Sequence, residues 1–135
     1  MKAEWLIALS DAFSLEQAMA IGTAGYTAAL CVNALEHWGI STTAGKPVLV
    51  TGAACGVGAV AISLLAKKGY TITASTGRAE THEYIPRLGA SAFIDRATLT
   101  ETGGSMQKEL WAGAVDSVGS TTLANVLFEK TDGAL

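Results

Sequence analysis

From Val48 onward, short apolar runs alternate with longer segments whose apolar residues recur at helical spacing. "VLV" with Thr51 is a continuous apolar run of the kind that marks a strand buried on both faces. A glycine-rich turn from Gly52 to Gly58 follows, then a helical segment from Val57 to Lys68 with Val60, Leu64 and Leu65 inward. "YTITAS" reads as a second strand, "RAETHEYIPRLG" as a helix kinked by Pro86, and "SAFID" as a third strand. "GSMQKELWA" reads as a short helix, "AVDSVG" as a fourth strand and "STTLANVLFEK" as a last helix. Strand and helix in strict alternation predict parallel strands joined by right-handed crossovers, with helices on both faces. The expected fold is therefore α/β, a doubly wound parallel sheet of about four strands.

The first 45 residues read differently. "EWLIAL" predicts a short strand. Ser14 opens "SLEQAMAIG", and its spacing to Gln17 fits a capping box. Gly22 and Gly25 punctuate a turn, and Tyr26, Leu30, Leu35 and Trp38 give helical spacing from Thr23 to Trp38, with Gly39 as the stop. The chain thus divides into an N-terminal strand-and-helix part, 1–45, and a sheet domain, 46–135.

The glycine turn is the first candidate for chemistry. A strand that ends in glycines and enters a helix presents unpaired N–H groups and a partial positive charge to an anion. A P-loop is excluded, because Gly58 is followed by Ala59 and Val60 in place of Lys-Ser/Thr. The strict GxGxxG fingerprint also fails, with Ala53 and Cys55 where glycines would stand. Thr51, Gly52, Gly56 and Gly58 do match Thr-Gly-x-x-x-Gly-x-Gly, a spacing shared by short-chain dehydrogenases and by quinone-reductase-like medium-chain enzymes. A turn packed for steric reasons alone gives the same letters. A short-chain enzyme would carry Tyr-x-x-x-Lys, whereas Tyr26, Tyr70 and Tyr84 are followed by Leu30, Ala74 and Leu88.

The second candidate is the end of the second strand, "TASTGRAET". NAD sites place an acid there for the ribose 2′-hydroxyl. This chain offers Ser75, Thr76, Gly77, Arg78 and Thr81 instead, the set that a 2′-phosphate requires. NADPH is therefore favoured over NADH. Arg96, just after the third strand, can lie beside the adenine or the phosphate.

Composition narrows the classes. Twelve acids and nine bases give a net charge of -3 over 135 residues, without a Lys/Arg cluster, which argues against nucleic-acid binding. Cys31 and Cys55 have no metal-ligand spacing, so no metal site is expected, and both read as reduced thiols of a cytoplasmic protein. No uninterrupted apolar run approaches the ~18 residues of a membrane span, so no membrane partner is expected. His37 and His82 lack catalytic partners, Asp95 and Asp116 read as turn residues, and Trp5, Trp38 and Trp111 as packing anchors.

Together "IGTAGYTAALCVNALEHWGI", "VLVTGAACGVGAVAISLLAKKGY", "STGRAETHEYIPRLGAS" and "ELWAGAVDSVG" resemble the medium-chain dehydrogenase/reductase superfamily, in its quinone-oxidoreductase-like branch with the bacterial acrylyl-CoA reductases. The resemblance implies a Rossmann domain that binds NADPH, with Gly52 at the turn and Gly56 and Gly58 bringing the backbone close to the pyrophosphate. Val57, Gly58, Ala59 and Val60 would lie along the pyrophosphate and ribose. Thr76, Arg78 and Thr81 would hold the 2′-phosphate, and Arg96 would lie near the adenosine. The chemistry it implies is zinc-independent hydride transfer to an α,β-unsaturated thioester, an enone or a quinone. The branch usually has glycine where this chain has Cys55. Its members also carry a catalytic domain before this region and further sheet after it. A truncated Rossmann sheet, little turnover by this chain alone, no assignable catalytic residue, and a homo-oligomer built on an exposed sheet edge are the resulting expectations.

Overall fold

A computed structural model describes residues 2–100 and 110–129. Four parallel strands, β1 (Val48–Val50), β2 (Ile72–Thr76), β3 (Ala92–Asp95) and β4 (Gly113–Val115), form one sheet in the order β3-β2-β1-β4. That order is the first four positions of the 3-2-1-4-5-6 Rossmann arrangement. The chain has a Rossmann-type fold.

β1 is central because it is apolar on both faces: Val48, Leu49 and Val50 are all fully buried. Helices α1 (Leu15–His37) and α2 (Gly56–Lys67) cover one face. There Ala28, Val32, Ala61, Ile62 and Leu65 pack with Val48, Val50, Ile72 and Ala74. Helices α4 (Arg96–Thr100) and α5 (Ser120–Glu129) cover the other, where Leu99 and Val126 enclose Leu49 with Trp111. The short α3 (Tyr84–Arg87) lies between β2 and β3 and buries Ile85.

Several expectations need correction. "EWLIAL" is no strand: Ala3–Trp5 is a 3₁₀ turn and Ile7 is 95% exposed. Its apolar residues have no neighbouring strand to pair with. The capping box is present, with Gln17 N–H donating to Ser14 Oγ at 3.1 Å and Ser14 N–H to Gln17 Oε1 at 2.9 Å. The helix it opens runs on to His37, broken only at Gly22 (φ 47°, ψ -157°), while Gly25 is buried inside it. By length and composition this helix could cross a membrane, which its scattered polar residues concealed. Its Gly25, Ala28 and Val32 are buried in the protein. "RAETHEYIPRLG" divides into a 3₁₀ turn, Ala79–Thr81, and α3. Pro86 falls in the first turn of α3, where its missing N–H has no partner to lose. Helix α4 directly after β3 was not foreseen; Asp95 starts it by accepting the Ala97 N–H at 2.8 Å. Most of the helix expected over "GSMQKELWA" lies outside the described residues. Its last residues, Trp111 and Ala112, are buried against the sheet, and Ala112 N–H donates to the Pro47 carbonyl at 2.9 Å.

At the opposite edge of the layer, Tyr70 ties the end of α1 to the sheet. Its hydroxyl donates to the Ile40 carbonyl at 3.0 Å, with Glu36 Oε1 3.5 Å away and Lys68 Nζ bonded to Glu36 Oε2 at 2.9 Å. Burial, then the charge of Glu36, raises the phenol above its ordinary 10.0. A raised folded-state value stabilises the fold at pH below the unfolded value and loses that contribution as pH rises through the folded value. Urea midpoints of the parent should therefore fall above pH 10.0. Tyr70→Phe should start lower and lack that fall.

Candidate cofactor site at the strand tips

The C-terminal ends of parallel strands converge where β1 hands over to β2 on one side and stands beside β4 on the other. Such a switch point leaves a crevice. Here it is a cleft of about 210 Å³ lined by Thr51, Gly52, Ala54 and Cys55 from the first turn, Ser75 to Arg78 from the tip of β2, Arg96 after β3, and Val118 and Thr122 from the last loop and α5.

The glycine turn is fixed by contacts that allow no side chain. Gly52 takes φ +58°, and a Cβ there would also collide with Ser117 Oγ. At Gly58 a Cβ would meet the Gly52 carbonyl and stand 2.9 Å from Ala53 Cα. Gly58 thus lets α2 sit directly on the turn. Gly56 serves α1, since a Cβ would come within 3.1 Å of the Ala24 side chain. The turn closes through Cys55 N–H to the Gly52 carbonyl (2.8 Å) and rests on β2 through Ala53 N–H to the Ser75 carbonyl (3.1 Å). Cys55 is the N-cap of α2 and supplies no side-chain cap, so the N–H groups of the first turn keep no partner of the usual kind.

A polar lock joins β1 to β4 beside this turn. The buried Thr51 hydroxyl donates to Asp116 Oδ1 at 2.5 Å and accepts the Ser117 N–H at 3.2 Å. Ser117 Oγ returns a bond to the Thr51 carbonyl at 3.1 Å, and Asp116 Oδ2 accepts the Gly119 N–H at 2.7 Å. Asp116 therefore does more than fill a turn; it holds the tips of β1 and β4 at a fixed spacing.

At the tip of β2 the hydroxyls of Thr76 and Thr81 shape the backbone. Arg78 N–H donates to Thr76 Oγ1 (3.1 Å), Thr81 Oγ1 donates to the Arg78 carbonyl (2.7 Å), and the two hydroxyls lie 3.4 Å apart. Arg78 is exposed, and Arg96 reaches over Gly77, whose Cβ position lies 3.7 Å from Arg96 Cδ. Neither arginine has an ion-pair partner among the described residues. Among the described residues no acid lines the cleft.

Of the ten residues expected at a cofactor, Gly52, Thr76, Arg78 and Arg96 converge on the cleft. Thr81 stands behind Arg78. Gly56, Val57, Gly58, Ala59 and Val60 form the first turns of α2 and do not line it; Val57 and Val60 pack towards the core. Sequence reasoning missed Val118 and Thr122 and undervalued Asp116. The signal available was "DSVGS" at a strand tip, polar residues followed by glycine. A larger groove of about 490 Å³ runs along β4 between the ends of α1 and α5. It lacks the arginines and the glycine turn.

No family model matches the chain. The acrylyl-CoA reductase AcuI of Ruegeria pomeroyi is 48% identical over 135 residues, 99% of this chain and 41% of that protein. The crystal structure of the yhdH oxidoreductase from Salmonella enterica in complex with NADP superposes with a TM-score of 0.87 at 46% identity, covering 95% of this chain and 39% of that one. Over the part of their length that it spans, this chain is similar to proteins named as acrylyl-CoA reductases and quinone oxidoreductases. The Bacillus subtilis protein yhfP, crystallised with NAD bound, gives the same TM-score of 0.87 at 46% identity, over 95% of this chain and 39% of its own. The chain spans about two fifths of the length of the relatives it matches.

The loop that carries the lock is strained at one residue. Ser120 has φ 58°, the left-handed region, directly after Gly119 at φ 71°. A non-glycine residue there costs about 1 kcal/mol. Ser120→Gly should raise the urea midpoint by about 0.5–1 kcal/mol of stability, reduced from the full strain because glycine also frees the unfolded chain.

Proposed function

We propose that this chain is the NADPH-binding domain of a zinc-independent medium-chain oxidoreductase that reduces an α,β-unsaturated thioester of the acrylyl-CoA type, or an enone or quinone. One observation carries the cofactor choice. Among the described residues, two guanidinium groups without ion-pair partners stand at the tips of β2 and β3, in a cleft that no acid lines. A 2′-phosphate satisfies both cations, whereas an NAD site calls for a carboxylate at this position. The NADP in the Salmonella relative supports the reading, and the NAD in the Bacillus relative sets the competitor to be tested.

The residues present fit a dinucleotide. The first-turn N–H groups of α2 and the bare backbone of Gly52 can receive a pyrophosphate. Gly56 and Gly58 act indirectly, by letting α2 approach α1 and the turn. Thr76 and Thr81 orient Arg78 towards the 2′-phosphate, and Arg96 covers the adenosine side. The Thr51–Asp116 lock keeps the β1–β4 gap from closing or spreading. When bound, the reduced nicotinamide supplies the hydride. The chain's own part is to bind and orient it. Binding without measurable turnover by this chain alone is the behaviour this reading expects. Small molecules, with no nucleic acid and no metal, are the partners of this reading, in a cytoplasmic setting.

A second reading, a nucleotide-binding module without catalysis, draws on the cleft's described lining, which holds no acid or histidine to move a proton. Calorimetric titration with NADPH and NADH, beside a hydride-transfer assay of the longer protein, separates the two. NADPH should bind more tightly. Arg78→Ala should weaken NADPH by about 1.5–3 kcal/mol and leave NADH nearly unchanged. Equal losses for both cofactors would remove Arg78 from the 2′-phosphate. Gly58→Ala should destabilise the fold by about 1–3 kcal/mol, read from the urea midpoint, since its clash is with backbone. That exceeds the roughly 1 kcal/mol that alanine gains over glycine in a helix.

A further inference from the structure

The Cys55 side chain is used by neither the fold nor the cofactor reading, although its backbone closes the turn. Its thiol is free and exposed, at the N-cap of α2, where it makes no capping bond. The other cysteine, Cys31, is partly buried against the core and lines the separate groove along β4. Two features of the space beside Cys55 bear on what it could hold. Arg78 and Arg96 line it, and no acid is among its described lining residues. Ser75 lines the same cleft although only 3% exposed, and its hydroxyl has no hydrogen-bond partner among the described residues. Thr51 and Ser75 stand next to the paired Val50 and Ala74 and so share the opposite face of the sheet, the face on which the cleft opens.

We propose that Cys55 is a site of reversible S-thiolation by an anionic low-molecular-weight disulfide of the glutathione class, and that the adduct bars the cofactor from the cleft. The step is thiol–disulfide exchange. The Cys55 sulfur, having given up its proton, attacks one sulfur of the disulfide. A new S–S bond forms to Cys55 and the old one breaks. The departing half leaves as a thiolate and takes up the proton. Cys55 is oxidised and the departing half is reduced, so no other oxidant is needed. The carboxylates of the retained half face Arg78 and Arg96, and its bulk occupies the entry to the glycine turn. The blocking of cofactor rests on the NADPH reading; the site and its charge preference do not.

The test uses glutathione disulfide and the dicationic disulfide cystamine as probes, with intact-mass and peptide mapping. One adduct should form with glutathione disulfide, mapping to Cys55, absent in Cys55→Ser and retained in Cys31→Ser. The ratio of glutathione-disulfide to cystamine rates should fall at least about fivefold in the Arg78→Ala/Arg96→Ala double variant. NADPH at saturation should slow the reaction at least about tenfold, and the isolated adduct should bind NADPH at least about tenfold more weakly, with recovery on reduction. Labelling at Cys31 in place of Cys55, or a rate ratio indifferent to the arginines, would overturn the site. Undiminished NADPH binding by the adduct would overturn the block. A reduced protein that binds no NADPH, yet still shows the Cys55 adduct and its charge preference, would overturn the cofactor reading and leave the thiol site standing.

Discussion

The contact between Gly58 and the Gly52 carbonyl governs the upper half of this molecule. Helix α2 begins so close to the end of β1 that even a methyl group would enter the backbone beneath it. Because that distance is short, the N-terminal N–H groups of α2 arrive at the strand tips. The turn can then lie on β2 through Ala53, and α1 can reach Gly56 through Ala24. A bulkier residue at position 58 would lift α2 and change all three relations together.

Charge and polarity are distributed to match. Buried apolar residues occupy both faces of β1, and polarity appears only at its tip, where Thr51 meets Asp116. Buried hydroxyls are stable only when paired or when a ligand or water can reach them. Thr51 belongs to the first kind and Ser75 to the second. The arginines follow the same logic on the outside of the cleft. Among the described residues they have no ion-pair partner, so a phosphate bound there would displace no existing pair. Cys55 stands between the two groups, at a backbone position the turn requires and with a side chain the turn leaves uncommitted.

Local pattern was enough for β1, α2, β2 and β3, because each has a continuous apolar run or a helical period ended by glycine. It failed for "EWLIAL", whose apolar residues look like a strand but lack a neighbour, and strands exist only in pairs. It failed for Gly25, read as a break and found inside a helix, because what decides there is contact with Ile21 and the core. The place of Arg78 at the mouth of the cleft was legible, since it follows a strand tip by count. Val118 and Thr122 were not, because they reach the cleft only after the crossover places β4 beside β1.

The amino-acid sequence by itself determined the alternation of strands and helices, the glycine turn, and the replacement of an acid by an arginine after β2. These depend on backbone preferences and on side-chain chemistry within a few residues. Only the tertiary structure decided that the glycines of α2 serve packing, that Thr81 supports Arg78, and that Asp116 locks β1 to β4. Thr51 and Asp116 are 65 residues apart in the chain. Their hydrogen bond exists because parallel pairing brings both strand tips to one end of the sheet, and no local pattern encodes that meeting.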